Sequence, residues 1–157
     1  MTLQLALQTT EDICTSLQAE IEVARGQRIL IRNIDVAALN ARAATRAAFN
    51  KRTAELQLRL AGQLRAVADD AGLAEVTLAG LEAHLPIEGQ RLADSFANIR
   101  ALATALCELD ALNQALGQRA LSYVKAHLAV LCPRPVSYDR RGVTPSEPRA
   151  STHIRVA

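Results

Sequence analysis

Three histidines and three cysteines are the side chains of this chain best suited to metal, acid–base or nucleophilic chemistry. His84, His127 and His153 lie far apart, and none belongs to an HExxH or Glu-x-x-His pair, the spacings that set two ligands on one helix face. Cys14, Cys107 and Cys132 form no CxxC pair, and their odd number argues for a reducing compartment and against a disulfide framework. Gly62, Gly72, Gly80, Gly89 and Gly117 occur singly, so no glycine-rich phosphate loop is present. The isolated candidates have structural readings instead. His127 reads as a half-buried histidine at a bundle end near Tyr123, and Cys107, beside Leu106, as a small buried or boundary hydrophobe. Arg42, Arg46, Arg52, Arg59 and Arg65 are diluted by Glu55, Asp69 and Asp70 and lack an aromatic platform, which favours a solvated helix face over a nucleic-acid surface. The expectation is a protein that is not an enzyme and uses neither metal nor cofactor.

The elements behind these residues are helices. Leu and Ala dominate the apolar half of the chain while aromatics are 3% and Trp is absent, a choice that favours helix over sheet. Residues 3–31 carry Leu3, Leu7, Cys14, Leu17, Ile21, Ala24 and Ile31 at helical spacing, and Thr9 or Thr10 ahead of Glu11 and Asp12 could restart the helix. Ile29-Leu30-Ile31 alone resembles a short strand, without a partner to pair with. Asp35 is placed to cap a second helix over 36–67, striped by Leu39, Phe49, Thr53, Leu56, Leu60, Leu64 and Val67 and ended by Asp69, Asp70 and Gly72. A short helix over 73–85 follows, and Pro86 suits the first position of a last helix reaching Leu131.

That last helix has a heptad pattern. One seam position reads Leu92, Ile99, Leu106, Asn113, Ala120 and His127; the other reads Leu102, Leu109, Leu116, Tyr123 and Val130. Gly89 and Gly117 within it read as tolerable interruptions. Asn113 at a core position reads first as a device fixing register and second as a contact to a partner. Taking Leu116 as 0° and about 100° per residue, Ala120, Tyr123, His127 and Val130 lie between about −40° and +40°. Leu121, Val124, Leu128 and Leu131 lie between about +60° and +140°, and the two bands span about half the circumference. Either a third helix buries the second band or it is exposed for a partner. The expected fold is all-α: an elongated antiparallel bundle of three long helices and one short linking helix.

Residues 132–157 differ in character. They hold four of the five prolines and five arginines against Asp139 and Glu147, a net charge of +3 that leaves −1 for the rest. The organisation expected is a helical domain over 1–131 and a flexible basic tail over 132–157. MTLQLALQTTED lacks the basic start and long apolar core of a signal peptide, and no segment approaches the ~20 apolar residues of a membrane span, so a cytoplasmic location is expected.

Leu109-Asp110-Ala111-Leu112-Asn113-Gln114-Ala115-Leu116-Gly117 is similar to the L-x-x-L-N-x-x-N-G segment in the last long helix of the FlgN-type flagellar export chaperone family. Tyr138-Asp139-Arg140-Arg141-Gly142 resembles that family's Y-x-x-x-G element ahead of a polar, basic terminus. Leu116 stands where the family often has its second Asn, so no role of that Asn carries over. The resemblance implies a cytosolic chaperone that holds the C-terminal helix of hook-associated proteins (FlgK and FlgL type) and brings it to the export gate at the membrane. Asn113, Gly117, Tyr138 and Gly142 are the positions that transfer, with Tyr138 and Gly142 assigned to docking on the export-gate membrane protein. Leu121, Val124, Leu128 and Leu131 are the candidate client-binding residues. Two rival readings are a coiled-coil scaffold that only self-associates and a small enzyme with an unrecognised site in the bundle.

Overall fold

The computed structural model describes residues 2–131, apart from 74 and 76. It contains four helices: α1 (Thr2–Arg32), α2 (Val36–Asp70), α3 (Leu78–His84) and α4 (Pro86–Leu131). The chain divides after Leu121 into two compact units. The first holds α1 to α3 and most of α4; of the second, the last turns of α4 are described. The tail expected over 132–157 lies outside the described residues.

Three long helices with no strand among the described residues make an all-α bundle, as the composition indicates. Their directions follow from which residues meet. Glu20 of α1 meets Arg46 of α2, while Leu3 and Leu7 pack with Val67, so these helices are antiparallel. Cys14 meets Asn98 and Ala24 meets Asn113, so α4 runs parallel to α1 and antiparallel to α2. The core of the first unit forms from Ile13, Leu17, Ile21, Leu56, Leu60 and Leu106, flanked by Phe49, Phe96, Ile99 and Leu109. A second cluster of Val67, Leu81 and Leu92 closes the opposite end.

Helix ends depart from the sequence expectation in two places. α1 does not restart at Thr9 or Thr10. Both threonines are buried, and their hydroxyls donate to the Leu5 and Leu7 carbonyls at 3.0 and 2.7 Å, satisfied by the helix they sit in. The expected helix over 73–85 is shorter, because Gly72 takes a φ of +66° and Thr77 starts the helix by accepting from the Gly80 amide at 3.1 Å. Asp35 caps α2 as expected, accepting from the Ala38 amide at 3.0 Å. Just before it, Ile34 sits at φ 54°, a strained conformation for a β-branched side chain. Ile29-Leu30-Ile31 is helical.

Gly89 is more than a tolerated interruption. A Cβ there would lie 2.7 Å from the Glu82 Cα and 2.8 Å from its amide nitrogen, so the missing side chain lets α3 pack directly on α4. A Cβ at Gly117 would meet nothing within 4 Å. Gly89→Ala should therefore cost about 1–3 kcal/mol in stability as backbone is forced apart. Gly117→Ala should gain about 0.5–1 kcal/mol from reduced unfolded-state freedom. Urea unfolding of the two variants checks this, and a Gly89→Ala midpoint at or above wild type would refute the close approach.

Candidate functional site

The polar residues that meet inside the bundle are ones the sequence assigned elsewhere. Arg42 was expected on a solvated face, yet it is buried, as is Glu20, to which it donates. Arg46 donates to Glu20 at 2.7 Å and to Asp110, and lies over the Phe49 ring at 5.2 Å. Thr45 accepts from Arg42 at 3.2 Å. Two guanidiniums of α2 thus face two carboxylates, one from α1 and one from α4, with Glu20 shared between both arginines. Only Arg52, Arg59 and Arg65 keep the solvated position expected of the cluster.

One turn further along α4, Asn113 completes the layer. It is 4% exposed and donates to the Ala24 carbonyl at 2.8 Å, while its Oδ1 has no partner among the described residues. This bond joins α4 to α1 across the bundle. A signal in the sequence could have found the network. Glu20 stands between Leu17 and Ala24 on the apolar stripe of α1, and Arg42 and Arg46 share a face of α2 at i, i+4.

Among the described residues the other candidates do not converge on a reaction centre. His84 bonds the Gly80 carbonyl at 3.0 Å and His127 the Tyr123 carbonyl at 3.1 Å, each within its own helix. His127 is exposed, not half-buried, and its ring lies 4.1 Å from that of Tyr123, tilted by 42°. Cys107 is exposed as well, because it projects beside Leu106, not with it. Burial pushes the Cys14 thiol up; the Asn98 amide hydrogen bond opposes that rise and the Glu11 charge adds to it. A thiol held protonated in this way is a weak nucleophile. A cleft of about 670 Å³ opens where α1 begins and α2 ends, lined by Leu3, Leu7, Val67 and Leu85 with Glu11 and Arg91, and no histidine or cysteine lines it.

The candidate client-binding residues lie on the last turns of α4. Leu121, Leu128 and Leu131 are 54%, 53% and 75% exposed, and Val124 is half-buried. Of the two readings left open by the sequence, exposure is the one observed. The seam residues Tyr123, His127 and Val130 are exposed too, contrary to a seam that stays covered to its end. Counting from Ala24 beside Asn113, Arg32 at the end of α1 comes level with Leu121, which is where cover by α1 runs out. Taking Leu116 again as 0°, the packed residues Leu92, Ile99, Leu106 and Asn113 fall between about 60° and 120°. Val124, Leu128 and Leu131 fall in that range by the same count, and Leu121 lies just beyond it at about 140°. Gly117 is half-buried between the two stretches; Tyr138 and Gly142 lie outside the described residues.

No family model matches the chain, and no curated protein or solved structure matches it. Among the described residues no helix is long and apolar enough to cross a membrane.

The buried layer yields a stability test. Arg42→Ala leaves Glu20 buried with one partner fewer and should cost about 3–5 kcal/mol, whereas Arg59→Ala should change stability by no more than about 0.5 kcal/mol. Glu20→Leu with Arg42→Met removes both charges and should recover most of the loss. Thermal unfolding of the three variants decides, and equal effects of Arg42→Ala and Arg59→Ala would show that the arginine is not buried.

Proposed function

We propose that this chain is a helix-binding export chaperone, and that Leu121, Val124, Leu128 and Leu131 receive an amphipathic helix of its client. The observation that carries this reading is the exposure of Leu121, Leu128 and Leu131, large apolar side chains at the end of α4. A client helix laid there would take the place that α1 and α2 hold upstream, a helix-in-groove mode of recognition. Burying such side chains is worth roughly 1.5–3 kcal/mol each, partly offset by ordering the client and by association itself.

The resemblance at Leu109–Gly117 and Tyr138–Gly142 supports the narrower form of the proposal. In that form the client is a hook-associated protein of the FlgK or FlgL type, and the chaperone works in the cytoplasm without catalytic chemistry. Tyr138 and Gly142 then dock the loaded complex on the export-gate membrane protein.

Leu121→Ser combined with Leu128→Ser should weaken binding of a C-terminal hook-associated-protein peptide at least tenfold, about 1.4 kcal/mol, with circular dichroism unchanged. Unfolding of that variant would make the leucines bundle core. Conversion of a dimer to a monomer that still binds the peptide would make them a self-association seam. Tyr138→Ala should leave the melting temperature and peptide binding at wild-type values while reducing secretion of the client. A lowered melting temperature would instead make Tyr138 a packing residue.

A further inference from the structure

A second apolar stripe of α4 lies away from the client face. Ala105, Leu109 and Leu112, at i, i+4 and i+7, line an open groove of about 300 Å³ between α1 and α4, and Leu112 is 45% exposed. On α4 these three point about 140° away from the side bearing Leu121 and Leu128. Arg25 and Arg28 of α1 form one wall, and Glu108 is the acid in the lining. Side chains lean toward the N-terminus of their helix, which carries these arginines back over Leu109 and Leu112. Arg25 pairs with Glu22 in an exposed contact of small worth, and Arg28 has no acidic partner among the described residues.

We infer that this groove docks an amphipathic helix of a partner protein that carries carboxylates on the flank facing Arg25 and Arg28. The occupant's apolar stripe meets the exposed Leu112 and the outer sides of Ala105 and Leu109, which are half-buried against the core. Its acidic flank pairs with the arginine wall, while Glu108 on the opposite wall excludes acid there and accepts a neutral or basic residue. The charge asymmetry thus selects both the chemistry of the helix and its facing. A nucleic acid gains little here, because the floor is aliphatic and two arginines make a short phosphate track.

The probe is a display library of helical peptides selected on the full chain, followed by fluorescence anisotropy of the enriched sequences. The expected binders have an apolar i, i+4, i+7 stripe with Asp or Glu along one flank. Arg25→Glu with Arg28→Glu should weaken them at least tenfold, Leu112→Ser should weaken them comparably, and Leu121→Ser with Leu128→Ser should leave them unchanged. Arg28→Glu alone, at an exposed side chain, should still weaken them severalfold and serves if the double variant does not fold. Absence of any binder, binders lacking an acidic flank, or binders insensitive to the arginine variants would overturn the proposal. Binders lost only in the Leu121/Leu128 variant belong to the client face and would overturn it too, while leaving the client reading intact.

Discussion

Glu20, placed inside the bundle with two arginines from α2, is the contact on which the mutual register of the helices depends. A carboxylate buried at that depth is tolerated only when its charge is matched and its lone pairs are used. Arg42 and Arg46 match the charge, both donating to its Oε1, and Arg46 then reaches Asp110 on α4. Slipping α4 by one heptad in either direction would set Ala103 or Gly117 where Asp110 stands, leaving Arg46 without its second carboxylate. The apolar core would tolerate such a slip far better, since Leu and Ala recur at similar spacing. Here the charges add little net stability but make one alignment much better than its neighbours.

That alignment positions everything else along α4. Asn113 meets the Ala24 carbonyl one turn beyond Asp110, and Leu121 then comes level with the last residue of α1. The exposed leucines downstream are therefore a product of helix lengths and register together. A helix of 46 residues packed on one of 31 cannot be covered throughout by its parallel neighbour.

Much of this was legible in the residues. The Leu- and Ala-rich periodicity predicts four helices with boundaries at Asp35, Gly72 and Pro86, because capping and backbone chemistry are local. Asn113 announced itself by standing on an apolar seam. The buried charges did not. Arg42 and Arg52 look alike in sequence, and only the approach of Glu20 from another helix distinguishes them. Thr9 and Thr10 misled for a related reason, since a hydroxyl can cap a helix start or bond back within one, and burial decides which. The seam at Tyr123 and Val130 was misread because a heptad pattern reports what could be covered, not where the covering helix stops.

The parallel course of α1 and α4 has an electrostatic consequence. Every helix carries partial positive charge at its N-terminus and partial negative charge at its C-terminus, so two parallel neighbours set like poles side by side. α2, antiparallel to both, offsets this within the bundle. A fourth helix between α1 and α4 would meet the same like-pole repulsion twice if it ran with them, and attraction twice if it ran against them. The polarity of any helix seated there is accordingly set by macrodipoles in favour of the direction of α2, completing an up-down-up-down arrangement.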